Sequence, residues 1–99
     1  EVVGEKPGAA GFSAPAPNPA FGRASLRFAL AAPAAVRLRI YDAGGRLVRR
    51  LLEEPLAAGE HAVEWDGRSD TGAAAPSGIY LVDLTGGAVR EVRKLILVR

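Results

Sequence analysis

A chain of 99 residues makes one domain, long enough to bury a core without help from metals or disulfides. Cysteine is absent, which excludes disulfides and thiolate metal sites, and 13 basic against 11 acidic residues leave a charge of +2, too small to imply a nucleic-acid partner. No apolar run reaches the roughly 18 residues of a membrane span. The opening EVVGEKPG lacks the charged-then-apolar order of a signal peptide, so the chain reads as a soluble, mature or excised piece of something longer.

Residues 1–22 differ in kind from the rest of the chain. They are rich in Pro, Gly and Ala, with Pro15, Pro17 and Pro19 alternating, and proline has no N–H to donate to a central strand. Residues 1–16 are therefore expected to be a linker or an extended arm, with Val2, Val3 and Phe12 as its sizeable anchors. Residues 17–99 are expected to form the domain.

From Ser25 onward the apolar period is two, the mark of half-buried strands. Leu26, Phe28 and Leu30 share one face of the first strand, and Val36, Leu38 and Ile40 share one face of the second. DAGG comes next as a hairpin turn, in which Gly44 and Gly45 permit positive φ. RLVRRLL returns from it, and Pro55 is expected to end that strand. HAVEW places His61, Val63 and Trp65 on one face. PSGIYLVDL does the same for Tyr80, Val82 and Leu84, with Gly78 at its start, and TGG then turns the chain into VREVRKLILVR. Ala-rich patches at 31–35 and 73–75 are too short and too interrupted for helices. About seven short strands with regular turns predict an all-β sandwich of the immunoglobulin or fibronectin III kind.

WDGRSDTG (residues 65–72) is the stretch most suggestive of chemistry. Asp66 and Asp70 are weak calcium candidates: too few oxygen ligands alternate between them, and Arg68 would oppose a cation. The stronger expectation is a structural turn, with both aspartates accepting nearby backbone N–H groups and Gly67 and Gly72 taking unusual φ/ψ values. Trp65 is expected in the core, and Tyr80 is expected to bond a neighbouring loop. His61, the only histidine, has no second histidine or cysteine to build a metal site or triad with, and it is placed at the core rim. No nucleophile motif or phosphate loop occurs, so neither an enzyme nor a cofactor is expected.

Arg27, Arg37, Arg39, Arg46, Arg49 and Arg50 are interspersed with glutamates, which reads as a solvated face with cross-strand ion pairs rather than a nucleic-acid surface. The last strand is apolar on both faces, the profile of a buried strand or of one that pairs with another chain. Arg93, Lys94 and Arg99 act there as charged gatekeepers, with Lys94 and Arg99 as candidate interaction residues.

Four segments carry a family resemblance, PNPAFGRASLRFAL, VRLRIYDAGGRLVRRL, AGEHAVEWDGRSDTGAAAPSGIYLVDL and KLILVR, and within them five motifs occur in order: an Asn-Pro start, a YDxxGRLVR hairpin, an AGxHxxxWDG strand, a PSGIY strand entry and a basic-apolar last strand. Over about residues 17–99 the chain resembles the FlgD-type immunoglobulin-like domain, which is close to the C-terminal sorting domains of type IX (Por) secretion substrates. NPAFGRAS departs from the sorting domains, which more often place Phe directly after Asn-Pro. The resemblance implies a small sandwich without catalytic residues, carried by large secreted or surface bacterial proteins. It also implies partners in a secretion or attachment machinery that reads the last strand, while the arginine-bearing face offers a contact for an acidic partner, lipopolysaccharide phosphates included. The alternative is a fibre subunit whose arm adds a strand to another copy.

Overall fold

Strict alternation of apolar and polar residues builds an all-β structure in the computed structural model, which describes residues 11–99. Eight strands succeed one another in chain order: β1 (Gly11–Phe12), β2 (Ala20–Phe21), β3 (Ala24–Leu30), β4 (Ala34–Asp42), β5 (Leu47–Leu56), β6 (Gly59–Trp65), β7 (Gly78–Gly86) and β8 (Val89–Val98). They form a three-stranded sheet in the order β1-β3-β6 and a five-stranded sheet in the order β2-β8-β7-β4-β5. All neighbours are antiparallel except β2 and β8, which run parallel with Ala20 opposite Leu97.

The alternating residues meet between the sheets. Leu26 and Leu30 from β3, Val36, Leu38 and Ile40 from β4, Val82 and Leu84 from β7, and Leu95 and Leu97 from β8 are all buried around Trp65. Each such aliphatic side chain contributes about 1.5–3 kcal/mol by leaving water, and no charged or polar residue among those described is buried with them. The sandwich is thus held by its dry interior.

Two strand features differ from the sequence expectation, and so does one turn. Pro55 does not end its strand: β5 continues to Leu56, with Pro55 opposite Ala35. It is tolerated because β5 is an edge strand paired only with β4, so a missing N–H on its open side breaks no ladder. The other difference lies in the lead-in, where two short strands, β1 and β2, join the six longer ones. In the β4–β5 turn only Gly45 takes a positive φ, +90°. Gly44 instead lies close to Asp42 Oδ1, which accepts its N–H and that of Arg46.

Candidate functional site

The stretch 65–77 joins β6 to β7 as a hydrogen-bonded corner. Trp65 is buried, packs edge-to-face on Tyr80 at 5.5 Å between ring centroids, and donates its indole N–H to Arg68 O at 2.9 Å. Asp66 Oδ1 accepts the N–H of Arg68 at 3.0 Å, a local Asx turn. Gly67 has φ +75°, and a Cβ there would collide with Gly22 O. Gly72 also has positive φ, +88°, but faces open space. Tyr80 donates its hydroxyl to Pro76 O at 2.5 Å. Burial first, and the Asp42 carboxylate second, push the Tyr80 phenol above its ordinary pKa.

Asp70 does not serve its own turn. Its N–H donates to Val48 O at 2.9 Å, and its Oδ1 accepts the N–H of Arg50 at 3.0 Å. Those are the open-side backbone groups of the β5 edge, so a single aspartate stands in for a neighbouring strand. Arg49 lies 3.6 Å from Asp66 and 3.9 Å from Asp70, and Arg50 lies 3.5 Å from Asp70. Both calcium candidates are therefore already committed to N–H groups and guanidinium charges.

Asn18 does the same for β8. Its amide donates to Lys94 O and accepts from Ile96 N, both at 3.0 Å. Beyond that point β2 continues the edge as a strand. Both margins of the five-stranded sheet are thereby closed by a polar side chain reaching from a distant loop. No pattern in the sequence pairs Asn18 with β8 or Asp70 with β5, because 76 and 20 residues separate the bonded groups.

On the outer face of the same sheet, an apolar stripe crosses all five strands. Phe21 lies opposite Val98, Ile96 opposite Ile79, Leu81 opposite Tyr41, and Tyr41 opposite Leu47. Phe21 is 72% exposed and Ile79 46%, unusual for residues of this size when they sit contiguously. Lys94, opposite Leu81, borders the stripe, and Arg37 and Arg90 lie further along the same face beyond Arg39, Asp83 and Val92; these three cations form no ion pair among the described residues, whereas Arg39 bonds Glu53 at 2.7 Å. Sequence reasoning missed the stripe because its members come from five separate segments. Only the pairing order brings them together.

The remaining sequence candidates are spread over both sheets. Phe12 is buried, its carbonyl accepts from Arg93, and the guanidinium lies 5.7 Å from its ring. Residues 11–16 run along β3 of their own domain, with bonds from Ser13 to Arg27 and between Ala16 and Ser25. Val2 and Val3 lie outside the described residues. His61 stacks on Phe28 at 5.4 Å and contacts Ala57 O at 2.8 Å through Nε2. Arg99 turns back on its own domain: its side chain donates to Ala75 O and Gly67 O, and its N–H to Ser77 Oγ. Gly78 opens β7 opposite Leu97, with open space where a side chain would stand. Arg27 belongs to the three-stranded sheet and Arg37 and Arg39 to the five-stranded one, so Arg27 shares no face with the other two. Among the described residues, no three His, Asp or Glu side chains gather as a metal-holding group.

Comparison with known proteins agrees with this architecture. The family model of the FlgD Ig-like domain matches residues 16–88. Among solved structures, dimeric latent PorU from Porphyromonas gingivalis is 25% identical over 98% of this chain, with a TM-score of 0.69. PorZ, described as an essential bacterial surface component of the type IX secretion system of the same organism, is 22% identical over 90% of the chain at a TM-score of 0.61, a likeness of fold. The chain spans only 10% and 12% of those two proteins. No curated protein matches it.

Proposed function

The chain belongs to the FlgD Ig-like domain family, and from that premise we propose that it is a non-enzymatic recognition module of a secreted or surface-exposed bacterial protein. Its role would be sorting or attachment through contact with a secretion apparatus. The observation that carries this reading is the apolar stripe Phe21–Val98–Ile96–Ile79–Leu81–Tyr41, exposed over its first four residues, on the outer face of the five-stranded sheet. A contiguous apolar band bordered by the unpaired Lys94, with further cations on the same face, suits a macromolecular partner rather than a small substrate. Lys94, Arg37 and Arg90 could at the same time meet acidic groups, lipopolysaccharide phosphates included. The fibre alternative draws no support from residues 11–16, which lie on their own sheet.

The test is to fuse the chain behind a periplasm-directed reporter in a bacterium that has a type IX secretion system. The reporter should reach the surface or the medium, and the variant Ile79→Asp/Ile96→Asp should be retained inside while keeping its β-sheet circular dichroism. Retention of the wild-type fusion, or unchanged export of the variant, would contradict the proposal.

A further inference from the structure

β6 is an edge strand of the three-stranded sheet, and among the described residues nothing closes its open side. Ser13 and Ala16 bond the carbonyls of Arg27 and Ser25, so those β3 residues point toward the arm. By alternation, Leu26 and Phe28 point to β6 and bond Val63 and His61. The N–H and C=O groups of Glu60, Ala62 and Glu64 therefore face outward. None of them has a backbone partner among the described residues outside the sheet ladder.

Apart from the charges of Glu60 and Glu64, this edge lacks the usual deterrents to pairing. It contains no proline and no lysine, and its register against β3 runs from Gly59 to Trp65 without a bulge. β5, by contrast, carries Pro55, two register shifts and the Asp70 cap. On the inner face of β6, Val63 is only partly buried against the core. An added strand would find its hydrogen-bond ladder and an apolar contact together.

The charges of β6 select the occupant. A second copy pairing antiparallel through the same open groups would centre on Ala62 and set Glu60 against Glu64. Like charges directly opposed destabilise a sheet. A strand with Arg or Lys on its outer face and apolar residues on its inner face would pair both glutamates and cover Val63. The competing cations are few: Arg23 reaches Glu64 at 3.4 Å, with both side chains more than half exposed, and Arg27 sits one strand away opposite Ala62. We propose that the β6 edge is a docking site for an extended segment, of another protein or another domain, in which basic and apolar residues alternate, received by β-augmentation. The site lies on the sheet opposite the apolar stripe and does not depend on the stripe's role.

The probes are a capped hexapeptide of alternating Arg and Val and its Glu–Val counterpart, titrated into the 99-residue chain and monitored by amide NMR. The Arg–Val peptide should shift the amides of Glu60, Ala62 and Glu64 and slow their exchange. It should bind about tenfold more tightly than the Glu–Val peptide, as two cross-strand charge pairs with Glu60 and Glu64 allow. Glu60→Lys/Glu64→Lys, which alters only exposed side chains, should reverse that preference. Ala62→Pro should abolish binding by removing one open N–H. Equal binding of both peptides, no shift at β6, shifts confined to Ile79 and Ile96, or a preference unmoved by the charge swap would each overturn the proposal.

Discussion

The two outer strands β5 and β6 are both edges of one sandwich, yet they are finished in opposite ways. β5 carries Pro55 and two register shifts, and Asp70 occupies open groups of its edge. β6 is regular, bulge-free and open. Guarding β5 requires the whole 66–77 corner, whose bonds end in one aspartate at the correct height on the strand. The contrast teaches that the loop with the look of a chemical site is an edge guard, and that the edge left without one is where a partner strand would find room.

The comparison can be broken most forcefully at Gly67, on which the corner turns. Gly67→Ala places a Cβ against Gly22 O in a conformation that L residues rarely adopt, and should cost about 3 kcal/mol in urea unfolding. Removing the guard itself is the next test. Asp70→Ala should cost about 1–2 kcal/mol, whereas Glu64→Ala on the unguarded strand should stay within about 0.5 kcal/mol. Equal losses would erase the distinction between the edges.

A smaller effect concerns the far end of the corner. Tyr80→Phe removes the hydroxyl donated to Pro76 O and should cost about 1 kcal/mol. The Tyr80 pKa is raised in the folded state, so its contribution is complete below the unfolded value of about 10 and is lost as pH rises through the folded value. Alkaline melting curves of the wild type should show that loss, and those of Tyr80→Phe should show less of it. Smallest of all, calcium should move the melting temperature by less than about one degree, because Arg49 and Arg50 already face Asp66 and Asp70. A rise of several degrees would restore the metal reading of the loop.

Alternation in β3, β4 and β7 made the core legible from sequence, since a strand with one wet face has little choice of register. β8 reads as apolar on both faces, and only the structure shows that Leu95 and Leu97 face the core while Ile96 and Val98 face outward. Trp65 as a core residue, Tyr80 as a loop-bonded one and Asp66 as a turn aspartate are legible from local chemistry in the same way. Asp70 and Asn18 were not legible in their edge roles, because a side chain that caps a strand leaves no periodic trace and its partner is fixed only by the fold. Arg99 misleads for a related reason. A terminal arginine looks solvent-bound in sequence, whereas here the corner offers it the carbonyls of Ala75 and Gly67. The apolar stripe was hidden because Phe21, Leu47 and Ile79 each look like an isolated exposed residue until the order β2-β8-β7-β4-β5 aligns them.

Native-state amide exchange tests the difference between the edges most directly. The amides of Arg50 and Ile96, although they point away from the strands beside them, should be protected by Asp70 and Asn18. Those of Glu60, Ala62 and Glu64 should exchange at nearly the rate of an open chain. Arg50 and Ile96 exchanging as fast as the three β6 amides, or the β6 amides as slowly as Arg50, would contradict the distinction between one guarded sheet and one open edge.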